Sequence, residues 1–193
     1  MTTSITSSAT QTIISAGGNP SALVIENGGI VSGGISSTGV ISPSQGVKFP
    51  AVQYSSADPN TLDDYEEGTF TPVITGTTTA GAGTYTIQTG NYVKVGRAIH
   101  ISTNIQWTAH TGTGNMTLSG LPFISSSDNN SQSAFVLGYV NNIALIAGNI
   151  AMAINNIGTS VISFRQSPSG GGASNYVPMD TNGGFVISGT YFV

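Results

Sequence analysis

Four carboxylates stand close together in the sequence and are the first residues to consider for chemistry. Asp63, Asp64, Glu66 and Glu67 lie within the stretch NTLDDYEEGTFTP, residues 60–72, and make up half of the chain's 8 acidic residues. Carboxylate oxygens are ligands for hard cations. The stretch lacks the alternating Asp/Asn ladder with a fixed glycine that a calcium loop requires, so we expect no metal here.

The same stretch favours a structural interpretation. Thr61 can act as an N-cap with Asp64 three residues later, acidic side chains in a first turn complement the helix dipole, and Gly68 can close the turn. Charged residues make up only 6% of the chain. The sequence therefore predicts a single capped turn that marks a junction between two kinds of structure.

Acid–base chemistry on a polysaccharide requires two carboxylates a few ångströms apart. Beyond Gly68 only Asp128 and Asp180 remain, each in a polar, turn-like context. A pair within one chain is therefore not expected, although a site shared between subunits could recruit Glu66 or Glu67. The sequence favours a protein that is not an enzyme.

The two histidines do not point to a metal. His100 and His110 lack the spacing of a metal-binding pair, and no third ligand is evident. His100 falls on the polar face of a predicted strand, whereas His110, in TAHTGTGN, is either a surface loop residue or a minor contact for a partner. Cysteine is absent, which excludes disulfides and thiolate sites. We predict neither a metal nor a cofactor.

Aromatic rings beside amides and hydroxyls are the remaining chemical option, because carbohydrate sites combine these groups. Trp107, Tyr139, Tyr176 and Tyr191 supply rings, and the many Asn and Gln residues supply amides. Strand alternation at Trp107 and Tyr191 favours the core for both. Tyr176, in the Gly-rich loop SPSGGGASNY, is the best exposed candidate, since surface loops commonly carry recognition. The predicted binding residues are Tyr176, Trp107 and His110.

The elements that must position these residues are predicted to be β-strands. In AIHISTNIQW, residues 98–107, alternation places Ile99, Ile101, Thr103, Ile105 and Trp107 on one face. This strand pairs most simply with residues 92–95 through a turn at Gly96-Arg97. Further strands are predicted at residues 70–75, 84–88, 116–119, 134–140, 143–147, 150–154, 160–165 and 184–193. So many short strands predict an all-β domain, a β-sandwich of jelly-roll type.

The chain divides into three predicted zones: an extended N-terminal arm (1–27), a Gly-rich stalk with the acidic junction (28–67), and a β-sandwich head (68–193). In the stalk, the units GGIVS, GGISS and TGVIS place Ile30, Ile35 and Val40 in register. A period of five does not fit one flat strand, and three units cannot bury these side chains alone. We predict that they pack around a common axis in a homotrimer; a Gly-rich linker is the alternative.

Charge and hydropathy exclude two classes of partner. A net charge of −4 with 4 basic residues argues against nucleic acid, because phosphate binding requires clustered Lys and Arg. The longest apolar stretch, residues 143–154, is interrupted at Gly148-Asn149 and is shorter than the roughly 20 residues of a membrane helix. The first residues, MTTSITSSATQ, lack a signal-peptide pattern. We expect neither nucleic-acid binding nor membrane insertion.

Five motifs resemble those of a known family. They are GVKFPA (46–51), NTLDDYEEGTFTP (60–72), GNYVKVGR (90–97), WTAHTGTGNM (107–116) and GLPF (120–123). In order and spacing they resemble bacteriophage tail-fibre and other trimeric virion proteins, over roughly residues 46–123. Phe70 stands where Trp is more often found, which is a conservative departure. The resemblance supplies no catalytic residue.

The resemblance implies a structural protein of the virion, made in the host cytoplasm and exposed on the particle. One expectation is a trimeric tail fibre or receptor-binding protein whose head contacts host-surface glycans. The alternative is a decoration or head-fibre protein that stabilises the capsid. In either case the expected partners are two further copies of the chain and other virion proteins bound through the arm.

Overall fold

The computed structural model describes residues 47–49, 52, 58 and 61–193. The predicted arm and most of the predicted stalk, including Ile30, Ile35 and Val40, lie outside the described residues. The chain separates into two units, residues 1–47 and 48–193, and the second is described below.

Nearly all regular structure in the described residues is β-strand, which confirms the predicted all-β class. The ten strands are β1 (Tyr65–Phe70), β2 (Val73–Gly76), β3 (Gly83–Val95), β4 (Ala98–His110), β5 (Met116–Ser119), β6 (Ala134–Asn141), β7 (Asn149–Asn156), β8 (Val161–Pro168), β9 (Asn175–Tyr176) and β10 (Gly183–Phe192), with one short 3-10 helix at Asn129–Ser131. No helix among the described residues is both long and apolar enough to cross a membrane.

The strands form one curled antiparallel sheet in the order β1-β3-β4-β10-β6-β7-β8-β5-β2, with β9 beside β8. β6 changes neighbours along its length: its C-terminal part pairs with β10, whereas Ala134 and Phe135 pair with β7. β6 thus joins two halves of the sheet, β1-β3-β4-β10 and β7-β8-β5-β2, and makes the corner of a sandwich. The two halves face each other, because Phe164 on β8 stacks on Phe185 on β10 with ring centroids 4.4 Å apart.

The core lies between the two halves and follows the alternation predicted for β4. The five side chains on the predicted inner face of β4 are all buried, and Gly96-Arg97 forms the predicted turn after β3. The other buried apolar residues come from both halves of the sheet: Ile74, Met116, Leu118, Leu121, Phe135, Ala153, Ile162, Phe164, Val177, Phe185, Ile187 and Tyr191.

The two ends of the sheet order are consecutive in the chain. β1 and β2 are joined by Thr71 and Pro72 alone, so the chain crosses from one edge of the sheet to the other at this point. Proline has no backbone N–H to pair, which suits a position where strand pairing changes. This crossing brings the outer edge of β2 against β3 and β4.

Side chains, not a further strand, hydrogen-bond to the outer edge of β2. The Tyr85 hydroxyl accepts from the Ile74 N–H at 3.0 Å, and His110 Nε2 donates to the Ile74 carbonyl at 2.9 Å. Gln88 Nε2 donates to the Pro72 carbonyl at 2.9 Å. The exposed backbone groups of an edge strand are thereby satisfied.

The predicted capped turn at the acidic stretch is wrong. Residues 65–70 form β1 and pair with β3 in the register Glu66 to Lys94, Gly68 to Tyr92 and Phe70 to Gly90. A Cβ added to Gly68 would lie 2.9 Å from the Tyr92 ring, and one added to Gly90 would lie 2.5 Å from the Phe70 ring. Each aromatic ring therefore covers the glycine opposite it, so pairing with β3 outweighs the local signals for a turn.

Asp64, the predicted first-turn acid, forms a buried ion pair with Lys94. Its carbonyl accepts from the Gly96 N–H at 2.9 Å, which ties the start of β1 to the β3–β4 turn. The Lys94 ammonium also lies 5.2 Å from the centroid of the Phe123 ring, a cation–π distance. Asp64 of the acidic stretch and Lys94 of β3 therefore serve the structure as a buried ion pair.

Other strand predictions differ in detail. Residues 143–147, predicted as a strand, form a loop in which the Ala144 N–H donates to Asp180 Oδ2 at 2.9 Å. The predicted strand 70–75 is divided between β1 and β2, and the segments 84–88 and 92–95 belong to one strand, β3. The short strand β9 was not predicted.

Tyr85→Phe tests the closure of the sheet. The substitution keeps the ring but leaves the Ile74 N–H without its acceptor, so we expect it to lower the free energy of unfolding by about 1–2 kcal/mol. Urea unfolding followed by Trp107 fluorescence measures the change. Tyr139→Phe, at an exposed tyrosine, is the matched control and should stay within about 0.5 kcal/mol of the wild type. Equal effects of the two substitutions would contradict this role for Tyr85.

The buried ion pair gives a second prediction. Lys94→Met leaves the Asp64 carboxylate buried without its cation, so we expect a loss of about 3–5 kcal/mol in unfolding free energy. Combining Lys94→Met with Asp64→Leu removes both charges, and the double variant should be more stable than Lys94→Met alone. A double-mutant cycle by chemical denaturation decides this, because strictly additive effects would mean that the two charges do not interact.

Candidate functional site

A polar cleft opens where β3, β4, β6 and the start of β10 adjoin. Its volume is about 310 Å³, at the lower end of the roughly 300–1,000 Å³ that ligand sites occupy. Amide and hydroxyl side chains predominate among its lining residues, which are Thr86, Gln106, Trp107, Thr108, Asn141, Asn142, Asn182 and Gly183. We call this feature the polar cleft.

A glycine in β10 lies between two amide-bearing residues of the polar cleft. Gly184 pairs with Gln106 on one side and with Asn141 on the other, so the two amide-bearing residues flank it in the same row of the sheet. A Cβ added to Gly184 would lie 2.9 Å from Gln106 Cγ. Glycine within a strand often marks such a close approach, and here its lack of a side chain lets the Gln106 side chain lie against the backbone of β10.

Backbone geometry also marks the cleft. Asn142 directly follows β6 and has φ of 50°, a left-handed conformation that asparagine tolerates better than most residues. Gly183 faces Trp107, since an added Cβ would lie 2.9 Å from Trp107 Cζ2. The NN pair at the end of β6 and the NGG run at the start of β10 therefore meet conformational and steric requirements as well as supplying amides.

Asp180 holds both sides of the cleft in place. Its carbonyl accepts from Trp107 Nε1 at 3.2 Å, and its Oδ2 accepts from the Ala144 N–H, two residues after Asn142. Its Oδ1 accepts from the Thr181 N–H at 3.0 Å, beside Asn182. One acidic side chain thus fixes the two segments that carry Asn142 and Asn182.

Tyr176, the first predicted binding residue, lies away from this cleft. It belongs to β9 instead of a loop and is 43% exposed. The Arg165 guanidinium lies 4.1 Å from the centroid of its ring and donates to its hydroxyl at 2.8 Å. Arg165 also donates to the Ser174 hydroxyl at 3.1 Å. One face of the ring is therefore taken by the guanidinium, and the rest is available to solvent.

The other two predicted binding residues are placed differently. Trp107 is 2% exposed, which confirms the core interpretation, although the residue also lines the polar cleft. The interpretation of His110 as a surface loop residue is wrong: it ends β4 and is 7% exposed. Its Nε2 donates to the Ile74 carbonyl, and its Nδ1 accepts from the Gly112 N–H at 2.9 Å. Both ring nitrogens therefore bond to backbone, and His110 serves the closure of the sheet.

Glu66 and Glu67 both bond to tyrosines. Tyr92 donates its hydroxyl to Glu66, and this hydrogen bond, aided by burial and the negative charge, raises the pKa of Tyr92 to about 12. Tyr65 donates to Glu67 at 2.9 Å, and this hydrogen bond is the main cause of the raised pKa of Tyr65. The two phenols therefore stay protonated at neutral pH and remain donors. Among the described residues, no group of three or more His, Asp or Glu side chains could hold a metal ion.

The cleft residues other than Trp107 were not predicted as a site. Asn141 ends β6, Asn142 follows it with a left-handed backbone, and Gln106 lies on the polar face of β4. The convergence depends on β4, β10 and β6 being neighbours, which residue spacing does not reveal. The available signal was local: adjacent asparagines and an Asn-Gly-Gly run, both next to strands.

Comparison with solved structures finds a fold similarity. The chain is similar to the Dettilon tailspike protein (gp208), with a TM-score of 0.54 and 24% identity. The match covers 66% of this chain and 24% of the tailspike chain, so this chain spans about a quarter of that protein's length. No protein-family model matches the chain, and no curated protein matches it. The similarity identifies a β fold that a tailspike also contains.

Proposed function

We propose that this chain is a bacteriophage attachment protein whose β head binds glycans on the host surface. The observation that carries the proposal is the fold similarity to a phage tailspike, over 66% of the chain. The motifs that resemble those of tail-fibre proteins also support it. They include β1, residues 90–95 of β3, and the turn that follows β3.

The side chains favour binding over catalysis. The carboxylates of Glu66 and Glu67 accept hydrogen bonds from tyrosines, and Asp64 is paired with Lys94. By contrast, the head presents amides, hydroxyls and an exposed Tyr176 to solvent. Groups of this kind recognise sugars without reacting with them.

The proposed assembly is a homotrimer on the virion. The repeat at Ile30, Ile35 and Val40 joins three copies around one axis, and residues 1–27 attach the trimer to another virion protein. In this arrangement the head, residues 68–193, faces outward from the particle.

Binding to host cells tests the function. Labelled full-length protein should bind cells of the host strain and should not bind an isogenic strain that lacks surface polysaccharide. Tyr176→Ala should weaken binding about fivefold or more, because truncating a contact aromatic typically costs at least about 1 kcal/mol. Val136→Ala, at another exposed residue, is the control, and light scattering checks that every variant keeps the wild-type assembly.

A different result would favour capsid decoration. If the protein binds neither host cells nor their polysaccharide, and particles that lack it lose resistance to heat, the attachment function is wrong. A protein that binds only assembled neighbours stabilises them by mass action, so particle fragility is the expected sign of decoration.

A further inference from the structure

We propose that the polar cleft is a sugar subsite of the head and that it takes an uncharged, hydroxyl-rich sugar residue. This inference rests on the proposed function, that the head binds glycans. It names the site and the class of sugar, and it assigns the main polar contacts to Gln106, Asn141, Asn142 and Asn182.

The hydrogen-bonding groups of the cleft match a sugar. Four side-chain amides and the hydroxyls of Thr86 and Thr108 line one volume of about 310 Å³. Each amide offers both a donor and an acceptor, and each sugar hydroxyl needs both. The two threonine hydroxyls already donate to the Gln106 and Thr84 carbonyls, so they can serve a sugar as acceptors, while the amides can serve it as donors and acceptors. An apolar ligand would leave these amides unsatisfied.

The charges of the head exclude an acidic sugar from the cleft. No lining residue is charged, and a carboxylate removed from water needs a paired cation. The cations in the second unit are engaged elsewhere: Lys94 with Asp64, and Arg97 Nε with the Val193 carbonyl at 2.7 Å. Arg165 bonds to Tyr176 and Ser174. Lys48 lies before β1 and does not line the cleft.

The cleft is also held in its shape before any ligand binds. Asp180 bonds to the segments on both sides, and Asn142 is fixed in a left-handed backbone conformation. Fixing these groups in advance lowers the entropy lost on binding. Amides on a fixed frame bind a small ring better than amides on a mobile loop.

An exposed aromatic lies next to the cleft. Tyr139 precedes Asn141 by two residues in β6, beyond the irregularity in the β6–β10 register, so both side chains point to the same face of the sheet. Tyr139 is 45% exposed. Its ring offers an apolar surface to the sugar that follows the one in the cleft, which would extend the subsite along β6.

Two cleft variants and one control test the assignment. Host cells are incubated with four full-length proteins: the wild type, Gln106→Ala, Asn182→Ala and the control Gln132→Ala. Gln132 is an exposed amide outside the cleft. The four proteins are also applied to immobilised oligosaccharides of two kinds: uncharged hexose and N-acetylhexosamine chains, and acidic uronate and sialate chains. Circular dichroism and light scattering verify the fold and assembly of each protein.

We expect the wild type and Gln132→Ala to bind uncharged chains in preference to acidic ones, with little change on adding salt, because no ion pair is screened. Gln106→Ala and Asn182→Ala should each bind about tenfold more weakly to uncharged chains and to cells. If both cleft variants bind cells as strongly as the wild type does, the cleft assignment is wrong but the proposed function stands. The same holds if the wild type prefers acidic chains. Failure of the wild type to bind cells and all glycans would overturn the proposed function as well.

Discussion

β1 and β2 lie at opposite ends of the strand order, yet only Thr71 and Pro72 separate them in the chain. This crossing forces the sheet to curl until its two ends meet. It leaves the backbone of Ile74 facing β3 and β4, where Tyr85 and His110 satisfy both its N–H and its carbonyl. The shared core depends on the same closure, because residues such as Phe164 and Phe185 can stack only when the two halves face each other. A side chain that suggests chemistry in the sequence, His110, is thereby committed to structure.

The use of charge follows from this architecture. Several of the few charged side chains in the second unit bond to one another or to neighbouring polar groups: Asp64 to Lys94, Glu66 to Tyr92, and Asp180 to the segments beside the polar cleft. What remains at the cleft is a surface of amides and hydroxyls. A surface of this kind recognises hydroxyl groups through hydrogen bonds, and its binding responds weakly to salt. It is well suited to the outer part of the attachment protein that we propose, which must work in variable external conditions.

Alternation alone predicted β4 and its buried face, because a period of two is a property of the strand itself. Gly96-Arg97 was also predictable, since the turn is local. The acidic stretch was not: its capping signals favour a helical turn, but Tyr92 and Gly90 of β3 fit against Gly68 and Phe70 and impose a strand. Residues 143–147 are apolar enough for a strand, but backbone N–H groups in this segment bond to side chains, Ala144 to Asp180 and Ile146 to Gln166. The polar cleft could not be predicted either, because Gln106, Asn141 and Asn182 are brought together only by the strand order.

The most direct test of the account is an NMR titration that observes side-chain amides. The full-length protein, or the complex that it forms, is labelled with nitrogen-15 and titrated with an uncharged oligosaccharide from the host polysaccharide. We predict saturable shifts in the side-chain NH₂ signals of Gln106, Asn141, Asn142 and Asn182, and in the Trp107 indole N–H, while the signal of Gln132 stays in place. Saturable shifts confined to residues around Tyr176, or no shifts at all, would contradict binding in the polar cleft.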